Sequence, residues 1–168
     1  MTVIETPRLR LERLVLDDAP FILQLVNEPS WLQFIGDKGV RTLDDARAYL
    51  VNGPLTMYER CGHGLYRVDL AESGEAVGMC GLIKRDTLPD VDIGYALFPA
   101  HWGQGYAAEA TTATRDYARD TLQLPRLLAI CSPDNARSIA LLQKLGLVYE
   151  GAREFTPGEP SVVYGVDF

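Results

Sequence analysis

Asp92-Ile-Gly-Tyr-Ala-Leu-Phe-Pro-Ala-His-Trp-Gly-Gln-Gly-Tyr-Ala-Ala-Glu109 reads as a strand, a glycine loop and the start of a helix. Ile93, Tyr95 and Leu97 alternate with Asp92, Gly94 and Ala96, the period-2 pattern of a half-buried strand. Pro99 has no N–H to give to a ladder, so the strand stops before it. Gly103 and Gly105 let the backbone reverse with no Cβ in the way. From Tyr106 the period lengthens, and Ala107, Ala110, Thr111, Thr114, Tyr117 and Ala118 fall on one helical face. A helix opening straight out of such a loop leaves its first N–H groups unpaired, with the positive dipole end behind them. That arrangement suits an anion, and a pyrophosphate is its natural occupant. The loop holds no Lys or Arg, so amides and dipole must supply the attraction. Taken alone, a Gly-x-Gly is equally well an ordinary turn.

A second pattern follows, Pro133-Asp-Asn-Ala-Arg-Ser138, running into Ile139-Ala-Leu-Leu-Gln-Lys-Leu-Gly-Leu147. In this order, and about thirty residues apart, the two resemble the GNAT superfamily of acetyl-CoA-dependent N-acetyltransferases. The opening Glu5-Thr-Pro-Arg-Leu-Arg-Leu-Glu-Arg13, followed by Asp17-Asp-Ala, is similar to the branch of the ribosomal-protein-alanine N-acetyltransferases. The resemblance implies an α+β fold: a mixed, mostly antiparallel central sheet flanked by helices, splayed between strands 91–98 and 126–131. It implies acetyl-CoA as co-substrate, with the pantetheine arm added beside the Asp92–Leu97 strand. A backbone N–H near Leu97 would polarise the thioester carbonyl. Gly103, Gln104, Gly105, Tyr106, Ala107 and Ala108 would carry the pyrophosphate. For Leu97, plain core packing is compatible with that role, since the bond uses main chain. The loop departs from the usual family pattern at Trp102, a residue frequent in the suspected branch and otherwise readable as a packing anchor.

The resemblance implies that Asn135 bonds the pantetheine arm, as the family's Asn does; otherwise Asn135 or Asp134 simply caps the helix. Asp134 already offers a cap, which leaves Asn135 for the ligand. Many relatives carry a thiolate-protonating Tyr seven residues later, where this chain has Leu142. The role passes to Ser138, one turn beyond Asn135, unless that hydroxyl bonds back to the preceding turn. Some relatives place a basic carboxylate on the strand after the glycine-loop helix, and Leu128-Ala-Ile130 offers none. Asp92 is the candidate base, acting through water, because a free amine of pKa ~10.4 is protonated at neutral pH. Its plain alternative is a solvent-side carboxylate at a strand edge. Cys131 as an acyl-carrying nucleophile lacks a neighbouring His, and a buried structural thiol is commoner.

Length and composition set the frame. A chain of 168 residues, 47% hydrophobic and 23% charged, suits one soluble domain spanning 1–168. No apolar run reaches membrane length and no signal peptide opens the chain, so the expected location is cytoplasmic. Cys61, Cys80 and Cys131 are widely spaced and odd in number, and His63 and His101 are isolated, which argues against disulfides and against a metal. A net charge of −7 argues against nucleic acid and suits a cationic acceptor, though acidity also serves solubility.

Along the chain, Leu9 to Leu14 reads as the first strand and Asp17 or Asp18 caps a helix that stops near Pro29. Trp31 to Gly39 reads as a loop, and Thr42 with Asp45 forms a capping box for a helix interrupted at Gly53-Pro54. His63–Leu70 and Ala76–Lys84 form a hairpin, and Val91 continues the meander. Arg126–Cys131 is a buried strand parallel to its predecessor. Leu147–Arg153 and Ser161–Phe168 close the chain as strands. Two functions compete: acetyl transfer to a primary amine (a small molecule or a protein N-terminus) in a ternary complex, and non-catalytic acyl-CoA sensing. A homodimer is open.

Overall fold

The computed structural model describes all residues 1–168. Its strands are β1 (Thr2–Glu5), β2 (Leu9–Arg13), β3 (Leu65–Leu70), β4 (Ala76–Ile83), β5 (Asp92–Leu97), β6 (Arg126–Cys131), β7 (Val148–Thr156) and β8 (Glu159–Asp167). They lie side by side in the order β1-β2-β3-β4-β5-β6-β8-β7. Every neighbouring pair is antiparallel except β5 and β6. β5 registers with β4 over six pairs, and β6 with β8 over six. Between β5 and β6 there is one registered pair, Asp92 with Leu128, where the Leu128 N–H donates to Val91 C=O at 2.9 Å. Beyond it the two strands part, which is the expected splay.

Six helices cover the sheet: α1 (Ala19–Leu25), α2 (Pro29–Phe34), α3 (Leu43–Leu50), α4 (Thr56–Cys61), α5 (Tyr106–Asp120) and α6 (Ala136–Lys144). Side chains alternate across a strand, so Met79 of β4 faces away from Cys80 and Leu82. Met79 packs with Ile22, Leu25, Ala46 and Leu50 of α1 and α3. On the other face, Cys80 joins Ala110 of α5, while Leu82 and Ile93 meet Ala118 of α5 and Leu142 of α6. Each fully buried Leu or Ile here contributes roughly 1.5–3 kcal/mol. β5 is therefore covered on both faces, and its alternation separates two helical layers instead of core from solvent.

Several sequence expectations need correction. β1 precedes the expected first strand and pairs with β2 through Thr2, Ile4 and Glu5. α1 ends at Leu25, short of Pro29 as expected, but Pro29 itself opens α2, which occupies part of the stretch read as a loop. Proline suits a first helical turn because its missing N–H would be unpaired there anyway. The capping box at α3 is present: Thr42 Oγ1 accepts from the Asp45 N–H and Asp45 Oδ2 from the Thr42 N–H, each at 3.1 Å. Val51–Leu55 forms one wide π-type turn that absorbs Pro54 and carries the helix into α4. β7 and β8 are each longer than expected, and the turn between them holds Gly158 at φ 81°. No helix is long and apolar enough to cross a membrane.

Candidate functional site

The glycine loop ends in Gly105, which caps α5 with φ 83°, and Gly103 sits at φ 79°; both are left-handed conformations. The first bond of α5 runs from the Glu109 N–H to Gly105 C=O at 3.0 Å. None of the six N–H groups from Gly103 to Ala108 donates to a protein acceptor. The amides singled out in the sequence are thus free of protein partners. The charge that the loop itself lacks is imported. Arg8, in the β1–β2 turn, donates to Gln104 C=O at 2.8 Å and to Glu109 at 2.7 Å, and lies 4.5 Å over the Tyr106 ring. Thr6 also donates to Glu109. Burial pushes the Glu109 carboxyl up, but Thr6 and Arg8 together hold it below its ordinary pKa. Arg137, in the first turn of α6, stacks 4.7 Å over the Trp102 ring.

The main chain of β5 is presented to the splay. Phe98 N–H bonds back to Val77 C=O at 2.9 Å, so the alternating Tyr95 and Leu97 backbone groups point away from β4. Leu97 N–H thus faces a gap where β6 makes no registered pair with it. Leu97 C=O is taken by the Trp102 indole N–H at 2.9 Å. Trp102 accordingly pins the loop to the strand end.

Across the gap, Asn135 is the cap of α6, its Oδ1 accepting the Ser138 N–H at 3.2 Å. This corrects the assignment of the cap to Asp134. Asn135 Nδ2 donates to no protein group, so capping leaves half of the amide for a ligand. Ser138 is buried, and its hydroxyl does not bond back along the helix as Thr111 and Thr114 do in α5. It is close enough to Tyr95 and Cys131 to influence the titration of both, without a formed hydrogen bond to either. Burial raises the Tyr95 pKa, with the Ser138 contact opposing. Burial also raises the Cys131 thiol, and the group beside it is Ser138, not a base. A thiol held protonated in this way is a poor nucleophile. Tyr95 reads in the sequence only as a core position, and its hydroxyl is the feature that reading missed.

Asp92 is not a solvent-side carboxylate: only 1% of it is exposed. Arg85 Nε donates to its Oδ2 at 2.9 Å. Burial raises the Asp92 pKa above the usual carboxylate value, opposed by Arg85 and Lys84. Asp92, Leu97, Gly103, Gly105, Tyr106, Ala107, Ala108, Asn135 and Ser138 all line one cleft of ≈ 800 Å³. Gln104 does not line it. No group of three or more His, Cys, Asp or Glu side chains is placed to hold a metal.

A family model for the acetyltransferase (GNAT) domain matches residues 8–148. The chain belongs to the GNAT family of acetyltransferases, enzymes that draw the acetyl group from acetyl-CoA. The N-acetyltransferase p20 of Bacillus licheniformis is 29% identical over 153 residues, 90% of this chain and 85% of that protein. An acetyltransferase structure from Agrobacterium tumefaciens superposes with a TM-score of 0.83 at 30% identity, covering 100% of this chain and 95% of that one. RimL, a ribosomal L7/L12 alpha-N-protein acetyltransferase in complex with coenzyme A, shares the fold at a TM-score of 0.85 and 19% identity, covering 100% of this chain and 98% of that one.

Proposed function

We propose that the chain moves the acetyl group of acetyl-CoA to a primary amine by direct attack in a ternary complex. The acceptor class is a small amine or a protein N-terminus, and the expected setting is the cytoplasm, where acetyl-CoA is made and used. The carrying observation is the run of six unpaired N–H groups, Gly103 to Ala108, at the mouth of a splayed strand pair. Those amides and the α5 dipole suit a pyrophosphate, and Arg8 and Arg137 add charge beside it. Asn135 Nδ2 and the unpaired main-chain groups of β5 at the splay suit the amide-rich pantetheine arm between β5 and β6.

The chemistry divides between the two faces of the sheet. Asp92 projects toward the α1–α3 layer, and its raised pKa suits a base. It draws a proton from the incoming amine through a chain of waters, since five residues of strand, about 16 Å, separate it from Leu97. A main-chain N–H of β5 at the splay, with Leu97 the candidate, stabilises the oxyanion. Ser138 lies on the opposite side, where its hydroxyl can protonate the departing thiolate and be reprotonated from Tyr95. Thiol release from acetyl-CoA, followed across a panel of amines and peptides beside a CoA titration, tests the reading. Binding of CoA with no turnover on any amine would leave only an acyl-CoA sensor, and no binding would remove the site.

A further inference from the structure

The α1–α3 side of the cleft carries a chemistry that acetyl transfer alone does not use. Trp31 and Phe34 of α2, Tyr49 of α3 and Met57 of α4 make its wall apolar and largely aromatic. Two cations stand in the same wall, Lys38 from the segment after α2 and Arg85 just beyond β4. No carboxylate acts on Lys38. Lys38 is exposed to solvent, yet the partial burial of its amine and the like charge of Arg85 pull its pKa below the ordinary value. Arg85 spends its Nε on Asp92 at 2.9 Å and keeps its two NH2 groups free of protein partners. Burial pushes the Tyr49 phenol up to about 12, so it is a neutral donor at any working pH. Trp31 adds a buried indole N–H with no partner in the protein. Bringing two cations together beside these rings costs repulsion, and an anion bound between them would offset it.

We propose that the acceptor is an amine bearing a carboxylate beside an apolar body: a free α-amino acid of the leucine, methionine or phenylalanine kind. This deepens the acetyl-transfer reading and rests on it. Lys38 and the free end of Arg85 take the carboxylate, Tyr49 donates to it, and the rings of Trp31 and Phe34 cover the side chain. Because Arg85 also holds Asp92, a carboxylate on that guanidinium brings the adjacent α-amine toward the base. Glu28, an acid at the start of α2, also lines the cleft. A protein N-terminus presents a neutral amide where the amino acid has its charge, and would leave Lys38 and the free end of Arg85 without that contact. The net charge of −7 acts at long range and is screened by salt, whereas these two cations act at contact.

The test compares thiol release at saturating acetyl-CoA with L-leucine, L-methionine and L-phenylalanine, their amides, and short peptides. The free acids should be preferred by about 10-fold or more in kcat/KM, the range expected for a charge-assisted contact. Lys38→Met should raise KM for the acids by about 10-fold with kcat near wild type, leave the amides unaffected, and be rescued in part by Lys38→Arg. Amides or peptides used as well as the acids, or an unchanged KM in Lys38→Met, would overturn the inference while acetyl transfer stands. A protein that binds CoA and acetylates none of these amines would overturn both.

Discussion

Arg85 Nε meets Asp92 Oδ2 at 2.9 Å where β5 and β6 make their one registered pair. Burial and this counter-charge pull the Asp92 carboxyl in opposite directions, and burial prevails. Arg85→Met should therefore raise the Asp92 pKa further and move the acid limb of kcat to higher pH. A pH–rate profile at saturating substrates checks it, and a limb that stays put or moves down would remove Asp92 from the proton path.

Asp92→Asn should lower turnover while CoA affinity stays near wild type. The deficit should shrink as pH rises, because more of the amine then arrives neutral. Stability carries a second sign. A raised native pKa favours folding fully below the ordinary carboxyl value and loses that contribution as pH rises through the raised one. Melting curves across that window should therefore shift in favour of Asp92→Asn with rising pH.

Ser138→Ala should lower kcat by about 10²-fold, the effect expected of one positioned proton donor. Tyr95→Phe should cost less, and the double variant should lose less than the product of the two if they share one proton path. Wild-type rates in both single variants from about pH 6 to 9 would make these groups packing elements only.

Arg8→Ala should weaken CoA binding by roughly 3- to 10-fold, since it frees the Gln104 carbonyl and removes a charge beside the amide cradle. Gly105→Val should weaken it more, but not without cost to the fold. At φ 83° a branched residue carries about 1–2 kcal/mol of strain, and a new Cβ would stand 3.2 Å from the Arg8 guanidinium. Calorimetric CoA titration with parallel melts separates the effects, and unchanged affinity in a folded Gly105→Val protein would rule the site out.

Gly78→Ala should destabilise by about 2 kcal/mol or more. The added methyl would sit 2.2 Å from Ala96 C=O and 2.7 Å from Leu97 Cα, which are backbone atoms of β5 and cannot swing aside. Urea unfolding measures the loss, and a neutral result would show that β5 can retreat into the splay.

What was legible in the sequence was local. Glycine spacing fixed the loop and the start of α5, turn residues marked the hairpins, and Thr42 with Asp45 announced α3. The unforeseen opening of α2 at Pro29 and the misplaced cap at Asp134 share a cause: stop, start and cap signals are position-dependent, and a small offset exchanges their meaning. Arg8, Arg85, Arg137 and Tyr95 were not legible as site residues. Arg8 lies 96 residues from Gln104 along the chain, and no periodicity encodes such a meeting. Tyr95 fitted the apolar alternation so well that its hydroxyl drew no notice.

The placement of β8 between β6 and β7 has a consequence for how the molecule comes into being. β6 walls the cleft, yet its full set of backbone partners comes from β8, which a ribosome delivers only after α6 and β7. Until then a nascent chain holds β6 by its one registered pair with β5. An intermediate built from β1 to β6 with α1 to α5 would leave the apolar run Leu127-Leu128-Ala129 with an open edge, free to recruit a strand from another chain.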